Sequence, residues 1–129
     1  WQRPRATAGL GVVLFNSRLC GIIAGIEVAM LLLVTSGYRI PLPWGLALSA
    51  AALPVIGYLA AGAVAQRLQP EARRGYLIFL MSCNAGLLAA LIVAVAAPCG
   101  TGILLAIAVG VGVLSARFIS SVVPGDGEF

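Results

Sequence analysis

The sequence predicts an all-α integral membrane protein: a four-helix bundle that runs up-down-up-down, with both termini on the cytoplasmic side. Three observations predict it. Of 129 residues, 61% are hydrophobic and 9% charged, with a mean hydropathy of +1.08, whereas a soluble domain carries about a quarter charged residues. The apolar residues fall in four runs, each long enough to cross about 30 Å of hydrocarbon. The connections between runs are short, so sequential helices are expected to lie antiparallel and adjacent. Lipid offers the backbone no hydrogen bonds, so each run must pair its own amides and carbonyls as a helix. Alternating strands of about ten residues, the mark of a barrel, do not occur. The chain reads as one membrane domain, residues 1–129.

Residues 1–18 are expected to form an N-terminal arm. Within it the stretch 7–16 (TAGLGVVLFN) is apolar but too short to cross, and Asn16-Ser17-Arg18 separates it from the first span. It is open to three readings: an extension of the first span, an interfacial helix lying flat, or a docking arm for a partner. The first span covers 19–36 and is closed by Gly37-Tyr38-Arg39. The second covers 44–66 and opens after Pro41-Leu42-Pro43, proline being tolerated at a helix start. Inside it Pro54 removes a backbone hydrogen bond, which predicts a kink and a freed carbonyl at Ala50. The third span, 76–97, comes after the basic loop from Arg67 to Gly75 and ends at Pro98. The fourth, 101–122, ends at Pro124-Gly125.

All 8 basic residues are arginine, and the net charge is +4. Arg3, Arg5 and Arg18 precede the first span, Arg67, Arg73 and Arg74 lie between the second and third, and Arg117 is near the end of the fourth. Only Arg39 falls on the other side, so the positive-inside rule puts both ends in the cytoplasm. Arginines at the ends of apolar segments set topology and meet anionic headgroups, so no nucleic-acid partner is expected. The membrane is expected to be a bacterial inner membrane or an organelle inner membrane. With His 0, histidine-ligated haem, the usual zinc sites and a Ser-His-Asp triad are excluded. Cys20, Cys83 and Cys99 are widely spaced and form no CxxC pair, which reads as buried small apolar residues. Neither metal nor cofactor is expected. Nothing pairs a nucleophile with a base, so no catalytic residue is assigned and the chain is not expected to be an enzyme.

Helices in lipid associate through small residues that let backbones approach. Gly21 and Gly25, Gly57 and Ala61, Gly86 and Ala90, Ala106 and Gly110, and Ala108 and Gly112 all stand four apart on their spans. One neighbour per helix cannot use every such face, which points to an interface with a partner chain. The ionisable groups inside the spans are few. Glu27 lies about nine residues, or ~14 Å, from the cytoplasmic end of its span. The same depth on the other helices reaches Tyr58, Asn84 and Val111, with Ser115 a turn nearer the cytoplasm and Arg117 below it. A polar layer of Glu27, Tyr58, Asn84, Ser115 and Arg117 is therefore expected. An ionised carboxylate alone at that depth costs several kcal/mol, so Glu27 is either protonated or compensated by a partner. It then serves as a proton-coupling or substrate-binding group, or as a fixed acid held by Asn84, Tyr58 or an arginine.

The string Glu27-Val28, with Ser36-Gly37-Tyr38 and a proline-containing turn after it, is similar to the first span and loop of small multidrug resistance exporters. That resemblance implies a homodimer in which Glu27 binds protons and cationic substrates. The third span, YLIFLMSCNAG from Tyr76 to Gly86, lacks that family's Ala-Tyr-Ala-x-Trp pattern, and the Gly-Thr and Lys that come after the family's Glu are absent. In length, hairpin arrangement and basic loop the chain also resembles small four-helix ATP synthase assembly proteins. The string Asn16-Ser17-Arg18-Leu19 is faintly similar to the Asn-Gly-Arg of light-harvesting helices, but Val13 stands where their glutamate does. The function expected is a non-catalytic accessory or assembly subunit of a larger membrane complex, packed through small-residue helix faces. Its partners are then the lipid bilayer and other membrane subunits or a homodimer partner. The alternative is a small proton-coupled transporter, working as a small multidrug resistance-like homodimer with Glu27 as the coupling carboxylate.

Overall fold

The computed structural model describes residues 2–37, 39–97 and 100–122, with side chains from residue 11 onward. Trp1, Tyr38, Pro98, Cys99, Pro124 and Gly125 lie outside the described residues, as do the side chains of Arg3 and Arg5. The described chain is helical apart from short turns: α1 (Gln2–Thr35), α2 (Leu42–Ala47), α3 (Leu53–Arg67), α4 (Arg73–Ala96) and α5 (Thr101–Val122). Four stretches are long and apolar enough to cross a membrane: Gly11–Thr35, Leu42–Arg67, Pro70–Ala96 and Thr101–Val122.

α1 does not break at Asn16-Ser17-Arg18. Asn16 Nδ2 donates to the Val12 carbonyl at 2.8 Å, and Ser17 Oγ donates to the Val13 carbonyl at 2.6 Å. Each polar side chain is satisfied by its own helix four residues back, so the polar triplet continues the helix. The stretch 7–16 therefore extends the first helix, and no break sets off an arm. At the other end Gly37 adopts a left-handed conformation (φ 67°) and its N–H donates to the Val34 carbonyl at 3.0 Å, a glycine stop that returns the chain towards the next helix.

Where Pro54 predicts a kink, the second span has one wide turn. Between α2 and α3 the residues Leu48–Ala52 form a π turn, and the Leu53 N–H donates to the Leu48 carbonyl five residues back. Widening the helix just ahead of the proline relieves its ring and absorbs the missing donor. A short 3-10 turn, Pro70–Ala72, leads into α4.

The helices pack in the order α3, α1, α4, α5, which makes an open bundle with α3 and α5 on its flanks. α1 and α3 are antiparallel: Arg18 lies on Gly62, Gly21 on Gly57, Gly25 on Leu53 and Pro54, and Leu33 on Gly45. A methyl group on either Gly21 or Gly57 would overlap the other's carbonyl oxygen, so the two backbones touch. α4 and α5 form a second hairpin, with Gly86 against the Ala108 carbonyl and the Arg74 guanidinium donating to the Ser120 carbonyl. The seam that joins the hairpins is α1 against α4, and not the second span against the third as the short loop predicts. The second and third spans meet at one end, where Tyr76 Oη donates to the Ala61 carbonyl at 2.9 Å. There Val13, Ala65 and Leu77 form the most buried apolar cluster, with Leu14 and Tyr76 against it.

Candidate functional site

Glu27 projects from the middle of α1 into the α1–α4 seam and is 6% exposed. Asn84 meets it from α4. The two oxygens nearest the Asn84 amide, the Cys20 carbonyl and Glu27 Oε1, are both acceptors. The amide nitrogen therefore faces them and donates to each at 3.3 Å, an orientation assigned from the hydrogen-bond partners. Cys20 is buried, and its thiol lies beside the same amide. The seam thus holds a carboxyl, an amide and a thiol in mutual reach, on the two helices that join the hairpins. Cys20 is no part of the layer expected from sequence. It stands seven residues before Glu27, two turns along one helix face, and that spacing is the signal that could have found it.

Depth brings Glu27 and Asn84 together and leaves the other three elsewhere. Tyr58 is 39% exposed and lies under the Arg18 guanidinium, whose carbon is 5.1 Å from the ring centroid. Ser115 is half-buried and Arg117 exposed, both on α5, which packs chiefly on α4. Among the described residues, the donor that reaches the Glu27 carboxyl is Asn84.

A second polar spot stands on the α1–α3 side. The Arg18 stem crosses the backbone at Gly62, where an added Cβ would come within 2.7 Å of Nε and 3.2 Å of Cγ. The Arg18 Nε is shielded from solvent and has no hydrogen-bond acceptor. In the sequence Arg18 reads only as a topology signal; Gly62 four residues after Tyr58 is the clue that a long side chain lies flat across this face.

The small residues sort by seam. Gly21, Gly25, Gly57 and Ala61 serve the α1–α3 contact, with Ala61 at 6% exposure. Gly86 and Gly112 serve the α4–α5 contact, the latter with its Cβ position 3.5 Å from the Ser82 carbonyl. Ala90 is buried near the opposite end of α4. Gly110 differs: no atom lies within 4 Å of its Cβ position, and Ala106 one turn before it is exposed. Among the described residues no three of His, Cys, Asp and Glu gather to hold a metal ion. The chain matches no family model, no curated protein and no solved structure.

Proposed function

We propose that this protein is a non-catalytic accessory or assembly subunit of a larger membrane complex, docking through the outer face of α5. In this reading both chain ends face the cytoplasmic side of a bacterial or organelle inner membrane. The observation that carries the proposal is the contrast among glycines. A glycine inside a helix costs about 1 kcal/mol relative to alanine. Gly21, Gly25, Gly57 and Gly86 recover that cost through backbone contacts within the chain. Gly102 and Gly110, with Ala106 between them, stand four apart on the exposed side of α5 and have no such contact. A close-packed helix from a partner accounts for them.

Glu27 supports the same reading. Its carboxyl is closed into a helix seam at 6% exposure and is held by Asn84, which suits a clasp between hairpins. The competing reading is a proton-coupled homodimeric transporter, in which Glu27 must reach water. Affinity purification in mild detergent followed by mass spectrometry separates the two. The subunit reading expects defined membrane partners in fixed ratio, lost on Gly110→Leu and kept on Glu27→Gln. The transporter reading expects a homodimer alone, with proton-coupled flux in liposomes abolished by Glu27→Gln; that result would sink the proposal.

A further inference from the structure

Arg18 lies inside the apolar stretch Gly11–Thr35, which has 25 residues. At 1.5 Å per residue that helix exceeds a ~30 Å hydrocarbon core by several Å, which puts the Arg18 backbone about 7 Å inside the boundary. An arginine at that depth ordinarily sends its head back to the nearer headgroup layer. Arg18 does the opposite. Its stem crosses Gly62, and its guanidinium rests over the Tyr58 ring. Because α3 runs antiparallel to α1, Tyr58, four residues before Gly62, stands one turn deeper in the hydrocarbon. The ring offsets part of the desolvation. Among the described residues, though, no hydrogen bond reaches the guanidinium, no carboxylate pairs with it, and its Nε is shielded without an acceptor. A cation kept at such depth calls for an anion beside it.

Beside the guanidinium runs a furrow of about 460 Å³. Tyr58 forms one side of it, and Gly11, Leu14, Phe15, Arg18, Leu19 and Ile22 of α1 form the other. These α1 residues recur every three or four positions, the spacing of a single helix face. Phe15 and Leu19 on that face are exposed. Side chains of a neighbouring helix enter furrows of this kind. Arg18 is the charged residue of the wall and stands in the middle of the stripe.

We propose that this furrow receives a transmembrane helix of another protein, one that carries an aspartate or glutamate at the depth of the Arg18 guanidinium. Charge complementarity selects the occupant. A lipid phosphate stays in the headgroup layer, and Gly11, Leu14 and Phe15 lie between Arg18 and the nearer one. A second copy of this chain does not supply the anion from its described residues. Glu27 is closed into the α1–α4 seam, and Glu71 lies in the 3-10 turn at the outer end of its span. The proposal rests on the subunit reading and adds to it a contact face on α1 and α3, apart from the outer face of α5.

Photo-cross-linking of the full chain in its native membrane tests it, with a benzophenone amino acid in place of Leu19. Mass spectrometry of the cross-linked peptide should map the adduct to a transmembrane helix of another protein, with a carboxylate within one turn of the attachment point. Arg18→Gln should reduce that adduct at least ten-fold. Changing the partner's carboxylate to its amide should do the same, and it leaves this chain unaltered, so it reads the pair even where Arg18→Gln disturbs folding. Adducts to lipid alone, to a second copy of this chain, or to a helix without a carboxylate at that level would each overturn the proposal. So would an adduct indifferent to both substitutions. A lipid-only adduct, with membrane partners still lost on Gly110→Leu, would sink this proposal and leave the subunit reading standing.

Discussion

α1 and α5 are both long apolar helices, yet 28% of an 18-residue apolar stretch of α1 is buried within the molecule and only 6% of the matching stretch of α5. α1 meets α3 through Gly21 and Gly25 and meets α4 through Cys20 and Glu27. α5 meets α4 along one side, with Leu104 as its buried residue. The difference separates two uses of the same small-residue vocabulary. On α1 Gly21 and Gly25 are consumed by the fold itself; on α5 Gly112 faces the Ser82 carbonyl, and Gly102 and Gly110 are left over. Hydropathy cannot distinguish the two, because lipid rewards both equally.

Substitutions can break or sharpen this contrast. Gly57→Leu should do the most damage, because its side chain would have to occupy the space of the Gly21 carbonyl. Overpacking of that kind costs about 3 kcal/mol, the upper end of the usual range, since the obstacle is backbone. Circular dichroism during an SDS titration should show α1 and α3 parting early. Asn84→Leu comes next: it strands the buried Glu27 carboxyl without a donor, at a cost of about 1–3 kcal/mol by the same titration. Glu27→Gln should cost less, because the new amide oxygen can still accept from Asn84. Gly86→Ala puts a methyl against the Ala108 carbonyl and should cost about 1–2 kcal/mol. Gly110→Leu should change the stability of the isolated chain by no more than about 0.5 kcal/mol. If it destabilised the chain as much as Gly57→Leu does, the contrast between the two helices would be wrong.

The four crossings were legible because run length and polarity set them, whatever the neighbours. The glycine pairs on α1 and α3 were legible by their spacing. Which helices meet was not: sequence proximity suggested the second span against the third, but α1 lies between them in the packing order. The Glu27–Asn84 pair emerged from counting depth, and Tyr58 shows where depth fails. Equal depth says nothing about which way a side chain faces round its helix, and Tyr58 faces Arg18. Asn16 and Ser17 misled for a related reason. A polar triplet reads as a boundary until its side chains are seen to bond carbonyls one turn back.

The wide turn at Leu48–Ala52 carries its own consequence. It holds one residue more than a regular helix needs over that length, which resets the phase of the helix face between the two halves of the second crossing. Gly45 ahead of it meets Leu33 of α1 while Gly57 beyond it meets Gly21. Loss of a single alanine among Ala50–Ala52 would remove the extra residue and put one of the two contacts out of phase.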